Sequence, residues 1–220
     1  MFIFGFQIMA KLHFYYSAMN AGKSTLLLQA SYNYHERGMR TIIFAPEIDT
    51  RSKVGYVSSR IGLQGDAVLF DDKANLYDAV LNQNSQAELS CVLVDEAQFL
   101  TKEQVIQFTR ITVDFNIPVL AYGLRTDFMG EPFAGSQYLL ALADQLVELK
   151  TICFCGKKAT MNIRVDDKGK VMRHGKQIQI GGNDRYLAVC RKHFINTDFV
   201  SKKVWPQHPE HKKEATNDLF

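Results

Sequence analysis

The sequence predicts an α/β fold: a mostly parallel sheet with helices on both faces, followed by a small β module. Up to about residue 150, continuous apolar strands alternate with helical segments, which is typical of a sheet buried on both faces. After Cys153, short polar–apolar alternations are separated by turn signals such as Asp166-Asp167-Lys168-Gly169, which favours hairpins. The 220 residues are 46% hydrophobic and 22% charged, a composition that excludes a disordered or fibrous chain.

The elements of the sheet domain follow one another along the chain. Apolar runs and helical periodicity predict strand 11–16, helix 26–36, strand 40–45, strand 67–70, helix 74–82, strand 90–94, helix 102–115, strand 117–122, helix 136–143 and strand 145–152. The helix at 102–115 is well specified, because Val105, Phe108 and Ile111 share one face and Thr101 with Gln104 fits a capping box. Residues 47–65 show no period and predict a long loop.

The charge is distributed unevenly. Residues 1–150 carry a net charge of −4 and residues 151–220 one of +7, so a boundary falls beside Cys153. Residues 195–220 are polar and predict a flexible tail. The apolar residues 1–8 lack the basic segment and cleavage site of a signal peptide, and we interpret them as an extension before a natural start at Met9. Reduced cysteines, a cytoplasmic location and no membrane span are therefore expected.

The segment after the first strand fits a phosphate-binding loop. The run Ser17-Ala18-Met19-Asn20-Ala21-Gly22-Lys23-Ser24 follows the pattern G-x-x-x-x-G-K-[ST] except at its first position. Such a loop directs backbone N–H groups and a helix N-terminus at phosphates. Lys23 is then expected to reach the β- and γ-phosphates of ATP, and the Ser24 hydroxyl to ligate Mg²⁺. The alternative is a strand–turn–helix that contains Gly-Lys-Ser by chance.

Two acids end another buried strand. Val92-Leu93-Val94 runs into Asp95-Glu96. Phosphoryl transfer uses one carboxylate on the metal side and a further group that positions or deprotonates the nucleophile. Asp95 fits the Mg²⁺ role and Glu96 the role of base, whereas the alternative is an exposed strand end with solvated acids.

Three cysteines and one histidine fit a zinc site. Cys153-Phe154-Cys155 and Cys190-Arg191-Lys192-His193 flank the hairpin region. Three thiolates and one imidazole fill a tetrahedral zinc shell and leave no open position, which is typical of a structural site. His174 is an alternative fourth ligand. Cys91 lies in a buried strand and is predicted to be a core residue.

Taken together, the motifs resemble one family. The runs Tyr15 to Thr25, Val94 to Phe99, Tyr122 to Phe128 and Gly181 to Tyr186, with the Cys/His set, are similar to the cellular, zinc-containing type of thymidine kinase in its bacterial form. The resemblance covers roughly residues 9–194. It implies a P-loop (RecA-like) ATP-binding domain at 9–150, a zinc-binding domain with a lasso loop at 151–194, and a homotetramer inhibited by thymidine triphosphate.

The resemblance also implies roles for individual residues. Glu96 matches the proposed general base for the thymidine 5′-hydroxyl, and Arg51 matches an arginine near the phosphates. The matched ATP-binding residues are Ser17, Ala18, Met19, Asn20, Ala21, Gly22, Lys23, Ser24, Asp95, Glu96, Ala97 and Gln98. The matched thymidine-binding residues are Phe99, Leu124, Phe128, Phe133 and Tyr186, and the lasso falls within 157–186. Alternatively, Phe128 and Phe133 are packing anchors, Tyr186 belongs to a hairpin core, and Arg51 is a solvated charge.

The expected reaction is transfer of the ATP γ-phosphoryl group to thymidine, without nucleic acid or membrane as partner. One rival is a nucleic-acid-dependent ATPase, for which Asp95-Glu96-Ala97-Gln98 would be a helicase-type box and the basic end a zinc module on phosphates. A helicase motor normally needs two such domains, and 220 residues suit one. A nucleotide-binding regulator without catalysis is a third interpretation.

Overall fold

The computed structural model describes residues 9–48, 55–166, 169–177 and 185–197. The chain forms two compact units. The first, here the sheet unit, comprises residues up to 16 together with 22–124 and 133–149. The second, here the C-terminal unit, comprises 17–21, 125–132 and the residues from 150 onward. The predicted extension 1–8, Arg51, the turn at 181–184 and residues 198–220 of the predicted tail lie outside the described residues.

A six-stranded sheet organises the sheet unit. Its strands are β1 (Leu12–Ser17), β2 (Thr41–Pro46), β5 (Val68–Phe70), β6 (Cys91–Val94), β7 (Val119–Leu124) and β8 (Gln145–Glu148), in the order β5-β2-β6-β7-β1-β8. The pairs β5–β2, β2–β6, β6–β7 and β1–β8 are parallel. The mostly parallel sheet predicted from the apolar runs is confirmed.

Four helices accompany this sheet: α1 (Lys23–His35), α2 (Leu76–Gln86), α3 (Lys102–Asp114) and α4 (Ala134–Leu142). The predicted capping box is present, because Thr101 Oγ1 accepts from the Gln104 backbone N–H and Gln104 Oε1 accepts from that of Thr101. Helix α1 begins three residues earlier than predicted, so Lys23 and Ser24 belong to its first turn.

Side chains of each strand alternate between two cores, and this alternation puts helices on both faces. In β2, Ile42 and Phe44 join the cluster that holds Phe108 of α3, whereas Ile43 and Ala45 join the cluster that holds Leu27 of α1. Helices α2, α3 and α4 bury apolar residues in the first cluster, and α1 does so in the second. The prediction of helices on both faces is therefore confirmed.

Two segments differ from the predicted elements. The described part of the predicted loop 47–65 contains an antiparallel hairpin, β3 (Tyr56–Ser58) with β4 (Gln64–Asp66), whose three-residue strands are too short to show a period. The predicted strand 145–152 divides after β8, since β9 (Thr151–Ile152) pairs instead with β10 (Lys158–Ala159). Within the described ranges, no helix combines the length and the apolar character needed to cross a membrane.

The C-terminal unit contains a small antiparallel sheet. Strand β11 (Met161–Val165) lies between β12 (Val171–Met172) and β13 (Tyr186–Val189), and a short helix, α5 (Arg191–Ile195), follows. At the predicted turn after β11, the Gly169 N–H donates to the Asp166 carbonyl at 2.9 Å, and Asp167 and Lys168 lie outside the described residues. The core of this unit contains Cys153 and Cys190. The predicted β module is thus confirmed in its described part.

Candidate functional site

The predicted phosphate loop contains two residues in the left-handed region of backbone conformation. Asn20 and Gly22 have positive φ angles of 62° and 77°, and residues of this kind occur in anion-binding nests. Helix α1 starts directly after Gly22, which has no side chain to cap it. The first part of the loop is held from the C-terminal unit, because the Met19 N–H donates to Asn162 Oδ1 at 2.8 Å.

The two acids at the end of β6 are buried and ordered by neighbouring groups. Asp95 is 3% exposed and Glu96 is 7% exposed. The Ser24 hydroxyl donates to Asp95 Oδ2 at 3.0 Å, and the Glu96 N–H donates to Asp95 Oδ1 at 3.0 Å. A hydroxyl and a carboxylate therefore lie side by side, and these oxygens are the ligand type that Mg²⁺ prefers.

Glu96 has an unusual backbone conformation. Its φ of 46° is in the left-handed region, which a residue with a Cβ rarely adopts and which costs roughly 1–3 kcal/mol. The residues that follow form a short 3-10 turn, Ala97–Phe99. Such strain at the end of a buried strand is typical of residues that have to be aimed in a particular direction.

Gln98 links Glu96 to the neighbouring strand end. Its Nε2 donates to Glu96 Oε2, and its Oε1 accepts from the Leu124 N–H at 2.9 Å. A Cβ on Gly123 would lie 3.0 Å from both the backbone N and the Oε1 of Gln98, so glycine leaves room for this close approach. The Gln98 amide, 2% exposed, is thus committed to contacts within the sheet unit.

The predicted nucleoside residues fall in both units. In the sheet unit, Phe99 and Phe133 meet edge to face with centroids 5.8 Å apart, and the Leu124 carbonyl accepts from the Ser136 hydroxyl. In the C-terminal unit, Phe128 and Tyr186 meet edge to face at 6.4 Å. Phe128 is 1% exposed, so its ring is a packing anchor in this structure, and its contact with a nucleoside stays a prediction.

The four predicted zinc ligands come together. Among the described residues, Cys153, Cys155, Cys190 and His193 form a group whose ligand atoms all lie within 4.8 Å of one another. His193 Nδ1 lies 3.3 Å from Cys153 Sγ and 3.5 Å from Cys190 Sγ, and Cys155 Sγ lies 3.9 Å from Cys190 Sγ. Tetrahedral zinc requires S···N edges of about 3.5 Å and S···S edges of about 3.8 Å. The donor set fits zinc, and His174 is not part of the group.

Cys91, the cysteine outside the Cys/His group, is a core residue, as predicted. Cys91 is fully buried in the cluster on the α1 face of the sheet. Burial raises the pKa of the Cys91 thiol to about 12. The pKa of the Tyr34 hydroxyl is also raised to about 12, mainly by its own burial and secondly by the negative charge that Cys91 carries when ionised. Burial among apolar side chains, outside the Cys/His group, makes Cys91 a packing residue.

Sequence reasoning did not single out several buried polar side chains, and three of them hold loops or strands in place. These are Asn162, which holds the phosphate loop, Asp127, which accepts from the N–H groups of Met129 and Glu131, and Arg164 in β11. The available signal was weak: Asn162 and Arg164 interrupt the apolar run Met161–Val165. Their partners lie far away along the chain, so the run alone does not show what they contact.

Comparisons with known proteins bear on the same residues. The sequence model of the family described as "Thymidine kinase" matches residues 10–194. A thymidine kinase of Legionella pneumophila (strain Paris) is 61% identical over 210 residues, covering 94% of this chain and 99% of the relative. One from Zymomonas mobilis is 59% identical over 187 residues, 85% of this chain and 97% of the relative. A thymidine kinase from Escherichia coli K12 is 59% identical over 186 residues, which cover 84% of this chain and 91% of the relative.

A solved structure of the Pif1 helicase from Candida albicans covers 65% of this chain with a TM-score of 0.38 and 14% identity, which is too weak to carry any argument. The thymidine kinase relatives, in contrast, are covered over 91–99% of their own length, and the family model spans the residues of the phosphate loop, the acidic strand end and the Cys/His set. On these matches, the chain belongs to the thymidine kinase family.

Proposed function

We propose that this protein transfers the γ-phosphoryl group of ATP to the 5′-hydroxyl of thymidine, giving dTMP and ADP for nucleotide salvage. The observation that carries the proposal is the hydrogen bond from Ser24 to Asp95 with Glu96 directly after it, in a chain about 60% identical to named thymidine kinases. A loop that binds phosphate, a carboxylate for a metal and a second carboxylate beside it are the parts that phosphoryl transfer requires.

The phosphates of ATP are bound by residues 17–24 and by 95–98 in this proposal. The loop N–H groups and the first turn of α1 surround the phosphate oxygens, and Lys23 contributes its positive charge. Ser24 and Asp95 would hold Mg²⁺, which neutralises charge on the β- and γ-phosphates when it is bound. Arg51, which lies outside the described residues, is proposed to stabilise charge on the transferred group.

Glu96 is the proposed general base. Its carboxylate takes the proton of the 5′-hydroxyl as the oxygen attacks the γ-phosphorus and the bond to ADP breaks. Gln98, assigned above to the nucleotide-binding stretch, supports this role through its hydrogen bond to Glu96 Oε2.

Thymidine is proposed to contact Phe99, Leu124, Phe128, Phe133 and Tyr186. Apolar and aromatic side chains suit a flat base with a methyl group. The lasso within 157–186 closes over the nucleoside and excludes water, which would otherwise compete as acceptor of the phosphoryl group.

Zinc is proposed to be structural and not catalytic. Cys153, Cys155, Cys190 and His193 would hold it, and four protein ligands leave no position for substrate. It would join the segment before β10 to helix α5, and so stabilise a unit with a small core.

The remaining proposals follow from membership of the family. We propose a homotetramer, with thymidine triphosphate as an end-product inhibitor, working in the cytoplasm.

One assay tests the proposed reaction. Purified protein with Mg²⁺ and labelled ATP is incubated with thymidine, deoxyuridine, deoxycytidine, deoxyadenosine and deoxyguanosine. Labelled dTMP as the main product supports the proposal. ATP hydrolysis that single-stranded DNA stimulates, without nucleoside phosphorylation, would favour the rival ATPase, and tight ATP binding without any product would favour a regulator.

A further inference from the structure

A buried arginine in the C-terminal unit joins segments that are distant in the sequence. Arg164, in the middle strand β11, is only 3% exposed. Its guanidinium lies over the Phe128 ring, 3.9 Å from the centroid. Its Nη1 donates to the Lys176 carbonyl at 3.1 Å, and its Nη2 donates to the His174 carbonyl at 3.5 Å.

This arrangement is costly for a side chain that serves packing alone. Within the described ranges no carboxylate forms an ion pair with Arg164, and its Nε is a buried donor without a hydrogen-bond partner. Burial of a cation without an opposite charge opposes folding. Among the described residues, the two carbonyls and the π face of Phe128 offset part of that cost.

The backbone of Gly175 lies close to the same guanidinium. Gly175 lies between the two carbonyls that Arg164 binds and has a φ of +140°. A Cβ at position 175 would collide with Arg164 Nη2. It would also come within 3.9 Å of Cζ of the Phe128 ring, which is an ordinary van der Waals contact. The segment 174–176 therefore approaches Arg164 closely only because residue 175 has no side chain.

A second contact fixes the loop that carries Phe128. Asp127 Oδ2 accepts from Gln177 Nε2 at 3.1 Å, and its Oδ1 accepts from the Met129 and Glu131 N–H groups. The Phe128 loop and the 174–177 segment are thus joined twice, once through Asp127 and once through Arg164.

We propose that Arg164 is a positioning residue for nucleoside binding: it holds the Phe128 ring against Tyr186 and ties the 174–176 segment to that ring. The inference rests on the proposed function, in which Phe128 and Tyr186 contact thymidine. Arg164 itself touches neither the phosphates nor the reacting atoms in this proposal, so its effect is specific to the nucleoside.

The test compares three variants with the wild-type enzyme. Arg164→Met keeps an unbranched apolar stem but removes the guanidinium. Gly175→Ala leaves Arg164 in place but displaces its guanidinium and strains the backbone at a φ of +140°. Both are expected to raise the thymidine KM roughly tenfold, with the ATP KM and the zinc content unchanged. Arg173→Met is the matched control, because Arg173 binds the Phe194 and Ile195 carbonyls at the end of α5, and its thymidine KM should stay near that of wild type.

Two results would overturn the inference. One is a thymidine KM in Arg164→Met and Gly175→Ala equal to that of wild type. The other is a parallel loss of zinc and of ATP binding in both variants, which would show a general structural role. Failure of the proposed function is recognised separately, since wild type would then give no dTMP. Hydrogen exchange at 125–132 and 171–177 in nucleoside-free protein would still show whether Arg164 ties these segments together.

Discussion

The two units order their buried polar groups in different ways. In the sheet unit, Asp95 and Glu96 follow a buried strand, and their partners lie at the ends of neighbouring elements. In the C-terminal unit, the contacts instead join side chains of different segments: His193 meets Cys153, and the Arg164 guanidinium lies over the Phe128 ring. The described apolar core there has seven buried residues, against nineteen and eight in the two sheet clusters. The sheet unit is therefore stabilised mainly by its core, and the C-terminal unit depends on cross-links.

The sharpest way to test this division is to remove the proposed chemistry without disturbing the core. Glu96→Gln is expected to lower kcat by roughly 10²–10⁴-fold, because the amide cannot accept the hydroxyl proton. The KM values for ATP and thymidine should change little, since the side-chain shape is retained. Initial rates of dTMP formation from labelled ATP measure the effect.

Glu88→Gln is the matched control for that change. Glu88 is an exposed acid of the same unit before β6, and its replacement should leave kcat unaltered. Unchanged turnover in Glu96→Gln would refute the role of Glu96 as general base.

The next test removes a cross-link and leaves the sheet core intact. Cys155→Ser is expected to release the proposed zinc and to raise the thymidine KM between roughly 10- and 100-fold, because the proposed nucleoside contacts of Phe128 and Tyr186 would lose their support. ATP binding, measured by calorimetry, should weaken much less. Zinc content by atomic absorption accompanies each measurement.

Cys91→Ala is the control thiol deletion. Cys91 is buried in the sheet unit outside the Cys/His group, so its loss should leave zinc and the thymidine KM unchanged. Equal weakening of ATP and thymidine binding in Cys155→Ser would contradict the division between the units.

The same contrast explains what could be predicted from the sequence. Gly22-Lys23-Ser24 and Asp95-Glu96 are contiguous motifs beside apolar strands, and their contact follows from the meeting of strand ends in a parallel sheet. Strands of three residues, such as β3, are too short to show the alternation of apolar and polar residues from which a strand is predicted. The break after Glu148 lies within a continuous strand-like pattern, and only the pairing of Thr151 with Ala159 reveals it.

Long-range side-chain contacts are the part that local patterns could not supply. The Cys/His set is an exception. Few functions other than metal binding explain three cysteines and a histidine with this spacing, so the ligand set could be predicted from the sequence. An arginine or asparagine in a strand has many possible partners. Arg164 and Asn162 therefore became interpretable only when the fold had brought Phe128 and Met19 to them.

The smallest expected effect concerns Gln98, the residue that connects the base to the rest of the sheet unit. Gln98→Leu removes the acceptor of the Leu124 N–H and one donor to Glu96. We expect kcat to fall by roughly tenfold, because a less well fixed base is in the attacking geometry less often. The free energy of unfolding should fall by about 1–3 kcal/mol, because a buried N–H loses its partner.

Gln107→Leu separates these two effects. Gln107 Oε1 accepts from the Leu76 N–H at 2.8 Å. Gln107→Leu therefore removes a side-chain-to-backbone hydrogen bond like that of Gln98, but one that does not involve Asp95 or Glu96. Both variants should lose stability in urea titrations, and only Gln98→Leu should lose turnover. Equal turnover in the two variants would mean that the backbone of Glu96, with its left-handed φ, aims the carboxylate by itself. The sheet unit would then need no side-chain link between the ends of β6 and β7 for its chemistry.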